Sequence, residues 1–202
     1  MSLPSRLLGA NPSIQVSTLL SGSLSTPSAK GTFTAYTEAF NSIASATGGS
    51  STITFSSIPS TYKHLQVRGL IKASAIDNGT PRVWFNGVTS ALYTNHTVYS
   101  NHETIGIENG NDLESIYMAL ATQRTDTFAP FILDIYDYAS TSKGKTVQYI
   151  TGFTNNTTTG ARVTFGSGAF RSNDAITSIT FTVQQAANFD SATQMSLYGI
   201  KG

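Results

Sequence analysis

Hydrophobic and polar positions alternate with a period of two over most of the chain from about residue 37 onward. Successive side chains of a β-strand point to opposite faces of the sheet, so this alternation predicts strands that bury one face. Turn-forming residues separate the runs, in TGGS at 47–50, DNGT at 77–80, NGND at 109–112 and SKGK at 142–145. The predicted strands cover residues 39–46, 51–56, 62–72, 81–86, 115–122, 127–138, 145–154, 161–171, 176–185 and 193–200.

Short strands without a convincing helical pattern predict an all-β fold. We expect an antiparallel β-sandwich of jelly-roll type over residues 37–202. Within it, the segment TYKHLQVRGLIKA places Leu65, Val67 and Ile71 on one face and a basic, more polar set on the other. We therefore interpret its charge as one solvated or interfacial face of a strand, not as a basic groove.

The segment FILDIYDY departs from simple alternation because both of its faces are largely apolar. Phe131, Leu133 and Ile135 share the face predicted to point inward. Ile132, Asp134, Tyr136 and Tyr138 share the other, which would lie under another layer or at a subunit interface. An unpaired buried carboxylate is costly, so Asp134 needs a partner, and Arg68 and Arg82 are candidates.

Residues 1–36 show neither a helical nor a strand period, and prolines and glycines interrupt them. A disordered tail is one interpretation, but solvated tails seldom carry this many leucines. The sequence favours an extended N-terminal arm that orders on a partner. The candidate partner-binding residues of the arm are Leu3, Leu7, Leu8, Ile14, Val16, Leu19 and Leu20.

Composition narrows the classes of partner and compartment. Charged residues make up 11% of the chain and the net charge is +1, too little to attract nucleic acid or an anionic membrane. There is no cysteine and no apolar run long enough for a membrane span or a signal peptide. We therefore expect synthesis in the cytoplasm and a fold held by packing or by assembly.

Residues 87–114 are rich in Asn, Tyr and Thr and are predicted to form a long irregular loop. Such loops often carry recognition, although the same composition also suits a loop that needs only solubility. The candidate surface recognition residues, suited to a sugar or a protein partner, are Tyr93, Asn95, His96, Tyr99, Asn101 and His102.

No pattern in the sequence predicts catalysis or a cofactor. His96 and His102 have the parity of one strand face, but a metal site needs further ligands. Asp134 and Asp137 have opposite parity and so do not form a pair of glycosidase carboxylates. GSGAF at 166–170 does not match the serine nucleophile motif, and no phosphate-binding or dinucleotide motif occurs.

Five segments, in the same order along the chain, resemble a family of uncharacterised virion structural proteins of tailed bacteriophages. They are SIPSTYKHLQVRG at 57–69, RVWFNG at 82–87, FILDIYDYASTSKGKTV at 131–147, GAFRSNDAITSITF at 168–181 and SLYGIKG at 196–202. The resemblance covers about residues 38–202 and leaves the N-terminal segment outside.

The resemblance implies a structural role in the virion and supplies no catalytic residue. It predicts a capsid decoration (cement) protein on the virion surface whose arm binds the major capsid protein and whose copies form a trimer or dimer. The alternative is a tail or fibre subunit that contacts tail proteins and a host glycan through residues 87–114.

Overall fold

The computed structural model describes residues 39–74, 81–101, 104–118, 127–154, 161–183 and 187–202. These residues form strands and turns, and they contain no helix that could cross a membrane. The strands are β1 Phe40–Thr47, β2 Thr52–Phe55, β3 His64–Ile71, β4 Pro81–Phe85, β5 Tyr93–Asn101, β6 Thr104–Leu113, β7 Ile116–Tyr117, β8 Ala129–Tyr136, β9 Lys145–Thr154, β10 Ala161–Phe170, β11 Ile179–Val183 and β12 Gln194–Ile200.

The strands form two antiparallel sheets in a sandwich-like arrangement. The large sheet has the order β1-β12-β3-β8-β9-β10-β5-β6, and the small sheet has the order β2-β11-β4-β7. The predicted all-β class and the antiparallel pairing are therefore confirmed. Each of the ten predicted strands overlaps an observed strand.

The strand pairing is nested from the two ends of the described region toward its middle. β1 pairs with β12, β2 with β11, β3 with β8, and β4 with β7. The chain thus runs as one long, folded hairpin whose successive pairs alternate between the two sheets. Two further hairpins, β5–β6 and β9–β10, extend the large sheet beyond β8.

The core contains the side chains predicted to point inward on β3 and β8. Leu65, Val67, Leu133 and Ile135 are fully buried, and Phe131 is almost so. They join inward-facing residues of the small sheet in one hydrophobic cluster, including Phe85, Ile179 and Phe181. The alternation therefore identified the buried face of both strands correctly.

Tyr138 does not lie on the face predicted for it. Asp137 has a φ of 48°, a left-handed conformation that ends the regular alternation of β8. Tyr138 is consequently buried, and its hydroxyl donates to the Pro59 carbonyl. The prediction that Tyr138 shares the outward face with Ile132 is wrong for this reason.

The prediction of an irregular loop over residues 87–114 is also wrong. Most of the segment forms the β5–β6 hairpin, and the NGND sequence lies within β6. The alternation was hidden because β5 directs polar side chains inward, including Asn95 and Thr97. An apolar residue, Val98, points outward on the same strand and remains 45% exposed.

Candidate interaction surfaces

The residues predicted to bind a partner fall in two different parts of the chain. The predicted arm residues Leu3, Leu7, Leu8, Ile14, Val16, Leu19 and Leu20 all lie outside the described residues, as does His102. Their role stays a prediction. The remaining recognition candidates lie on β5, where alternation separates them.

Tyr93 and Asn95 point into the sandwich and are buried, so the prediction that they form a surface is wrong. His96 and Asn101 are exposed, and Tyr99 is half-buried. Only part of the predicted recognition set is therefore available to a partner from solvent.

Tyr93 is held inside the fold by ring packing and hydrogen bonds. Its ring stacks on Phe170 with centroids 5.0 Å apart. Its hydroxyl accepts the Phe85 backbone N–H at 3.0 Å and donates to the Val88 carbonyl at 2.9 Å. Burial raises the pKa of Tyr93 to about 12, so the hydroxyl keeps its proton at neutral pH. The group closes the turn between β4 and β5.

A buried polar cluster lies beside β7. The Tyr149 hydroxyl donates to the Tyr117 carbonyl at 2.7 Å and lies 2.8 Å from the Thr97 hydroxyl. The Asn95 amide donates to the same carbonyl at 3.1 Å. Burial raises the pKa of Tyr149. Because these groups satisfy one another, the cluster fixes the position of β7 over the large sheet and offers no free group for chemistry.

Charged side chains of the β5–β6–β10 region lie on this same inner side of the large sheet. The Arg162 guanidinium lies 3.7 Å from the centre of the Tyr99 ring and 3.1 Å from the Glu108 carboxylate. Its Nε also donates to the Thr164 hydroxyl at 3.2 Å. Sequence spacing gave no signal for this group, since the residues come from three strands.

The outer face of the large sheet is polar at one end of the strands. The Gln66 amide donates to Asp134 at 2.6 Å, and Arg68 Nε donates to the Gln66 side-chain oxygen. Gln66 therefore links Asp134 to Arg68, one of its two candidate partners. The other candidate, Arg82, lies on β4 in the small sheet, 4.5 Å from the Tyr117 ring. The basic residues of β3 do lie on the predicted outward face.

The other end of the same outer face is apolar. The pairing registers place Ile150 opposite Phe165, Phe165 opposite Val98, and Val98 opposite Ile107. In the adjoining row, Val163 lies opposite Ser100, and Ser100 lies opposite Ile105. We call this surface the apolar face. It comprises Val98, Ile105, Ile107, Ile150, Val163 and Phe165, all of which are exposed.

The apolar face contains a shallow trough. Val98, Ser100, Ile105, Val163 and Phe165 line a depression of about 240 Å³. Its lining is almost wholly apolar, unlike the pockets of most small-molecule sites, which combine apolar walls with several converging polar groups. The trough therefore fits an apolar surface better than a polar ligand.

Within the described ranges, no three His, Asp or Glu side chains form a group able to hold a metal ion. Comparison of the chain with family models, with curated proteins and with solved structures returns no match.

Proposed function

We propose that this protein is a structural subunit of a tailed-bacteriophage virion. In this proposal it is a capsid decoration protein that binds the major capsid protein lattice through residues 1–36 and stabilises the head. The observation that carries the structural role is the apolar face, because contiguous exposed apolar surface of this kind marks sites of protein–protein contact.

The fold supports the viral part of the proposal. Without the β5–β6 and β9–β10 hairpins, the two sheets would have the orders β1-β12-β3-β8 and β2-β11-β4-β7. Eight strands paired in this nested way are what a jelly roll requires, and viral capsid proteins use that architecture. The nested pairing therefore favours the jelly-roll assignment that we propose here.

The segments that resemble phage virion proteins meet one another in the fold. Three of them, 57–69, 131–147 and 196–202, supply the adjacent strands β3, β8 and β12. The Tyr62 ring lies against Gly199, and Lys63 lies 2.8 Å from Asp137. These residues make contacts that determine the fold, so the resemblance supports a common framework and not a common active site.

Stabilisation of the head would follow from mass action. A subunit that binds the assembled shell, and not its separated components, opposes disassembly by its binding free energy. An arm tethered to a folded domain adds to this because its binding becomes intramolecular once the domain has docked. Symmetric self-association, as a trimer or dimer, would multiply the effect.

Counting copies per particle tests the proposal. We expect quantitative mass spectrometry of purified particles to give a simple fraction of the copy number of the major capsid protein. A few dozen copies or fewer would contradict the decoration role and favour the tail or fibre alternative. Absence from the particles would contradict both.

A further inference from the structure

The apolar face extends to the edge of the large sheet that the described strands form. β6 is the terminal strand there, and its outward-pointing Ile105 and Ile107 are 80% and 77% exposed. Long, apolar edge strands pair or aggregate readily, and soluble proteins usually protect them with charges, prolines or a covering element. No described element covers this face.

The two charged residues of β6 are each paired with an arginine. Glu108 lies opposite Thr97 on the inner side of the sheet and pairs with Arg162. Asp112 pairs with Arg171 at the end of the hairpin. A second apolar surface can therefore approach β6 without burying an unpaired charge, which would be strongly unfavourable. Arg68, which shares the outer face and the row of Ile132 and Ile150, would lie at the border of the contact, where it donates to the Gln66 side chain.

The area of the apolar face is sufficient for a stable contact. From their exposed fractions, its six residues present about 600 Å², the upper limit of the largest apolar patch on a typical monomer. Two such faces, if buried completely, would remove about 1,200 Å² from solvent, close to the roughly 1,000 Å² that a specific interface needs. Polar residues at its border, His96 and Asn109, would extend the contact.

We propose that the apolar face is a homodimer interface, which a second copy of this chain covers through its own apolar face about a two-fold axis. The two large sheets would then pack outer face to outer face, about 10 Å apart as in other sheet packings. A two-fold axis makes this uncharged surface its own partner. The inference goes beyond the virion role and does not depend on it.

Equilibrium sedimentation of the full-length protein tests this interface. We expect the wild-type chain to have the mass of two copies at micromolar concentration. Ile107→Lys should weaken the dimer about 100-fold or more, because it places a charge in the contact. Thr146→Lys is the matched control, since Thr146 is exposed on β9 at the polar end of the same outer face, and it should leave the dimer unchanged.

Circular dichroism and thermal unfolding should show that both variants are folded, because Ile107 and Thr146 are exposed in the single chain. A wild-type chain that stays monomeric would overturn the proposal. So would a trimer, or a dimer that Ile107→Lys leaves intact.

A second measurement distinguishes other occupants of the face. The chain has no cysteine, so Val98→Cys introduces the only thiol. We expect slow alkylation of that thiol where the protein is dimeric and fast alkylation on dilution to monomer. A monomer whose thiol is protected at every concentration would mean that a segment of the same chain covers the face, and would overturn the proposal.

Discussion

At the scale of single residues, Asp137 joins three parts of the chain at the end of β8. Its carboxylate pairs with Lys143 and lies 2.8 Å from the Lys63 ammonium group. Its backbone N–H donates to His64 Nδ1 at 3.0 Å. The left-handed φ of Asp137 directs the chain away from the sheet, and the ion pairs stabilise that turn.

These ion pairs predict a specific pH dependence. Hydrogen bonds from Lys143 and, to a lesser extent, from Lys63 lower the pKa of Asp137 to about 2. The pKa of an aspartate in the unfolded chain is about 3.9. A carboxyl group with a lowered pKa contributes stability that is fully present above the unfolded value and is lost as pH falls through the folded one.

We therefore expect Asp137→Asn to lower the free energy of unfolding at pH 7 and to lower it progressively less between pH 4 and pH 2. Urea unfolding over this pH range measures the difference. Parallel pH profiles of wild type and Asp137→Asn would contradict the argument.

At the scale of strands, several glycines pair with aromatic residues on the neighbouring strand. Gly69 lies opposite Phe131, Gly106 opposite Tyr99, and Gly166 opposite Tyr149. In each pair a Cβ on the glycine would overlap the facing ring. Glycine normally weakens a strand, but here the ring of the partner fills the space above it.

We expect Gly166→Ala to lower the free energy of unfolding by about 1–3 kcal/mol, the usual cost of overpacking. The added methyl group would displace the Tyr149 ring and disturb its hydrogen bond to Tyr117. Chemical denaturation of the single variant gives the value. This cost would outweigh the small stabilisation that a glycine-to-alanine change usually gives by restricting the unfolded chain.

A double-mutant cycle with Tyr149→Leu identifies the cause of that loss. If the Tyr149 ring is responsible, Gly166→Ala should cost less than half as much in the Tyr149→Leu background. Equal costs in both backgrounds would place the strain elsewhere in the sheet.

Sequence patterns predicted the strands whose inward face is apolar and missed those whose inward face is partly polar. Strands with an apolar inward face, such as β3 and β8, were predicted with the correct buried residues. β5 and β6 were missed because their inward positions include Asn95, Thr97 and Glu108. Those polar residues are accommodated by hydrogen bonds to other strands, which no local pattern records.

The candidate surfaces could be predicted only in part, because they also depend on pairing between distant strands. The Asn, Tyr and Thr residues between 87 and 114 were interpreted as a recognition loop, but Tyr93 and Asn95 are buried, and their burial depends on pairing with distant β10. The apolar face was not predicted, because Val98, Ile150 and Phe165 become neighbours only through strand register.

At the scale of the whole molecule, two features are suited to different contacts. The apolar face is broad and uncharged, and we infer that it binds another copy. The N-terminal segment has scattered leucines, and we propose that it binds the particle. We expect the two roles to be separable, since the described residues of the core cluster lie from Ile53 onward.

Deletion of residues 1–36 tests this division of roles. We expect the truncated chain to keep a cooperative thermal transition, since the described strands enclose a core without those residues. Its affinity for particles lacking the native subunit should fall about 100-fold or more, because a tethered second contact commonly adds a factor of that size. Co-sedimentation with such particles measures the affinity, and full-length Thr146→Lys serves as the folded control. Undiminished binding by the truncated chain would show that the sandwich itself recognises the particle, and its failure to fold would show that residues 1–36 belong to the domain.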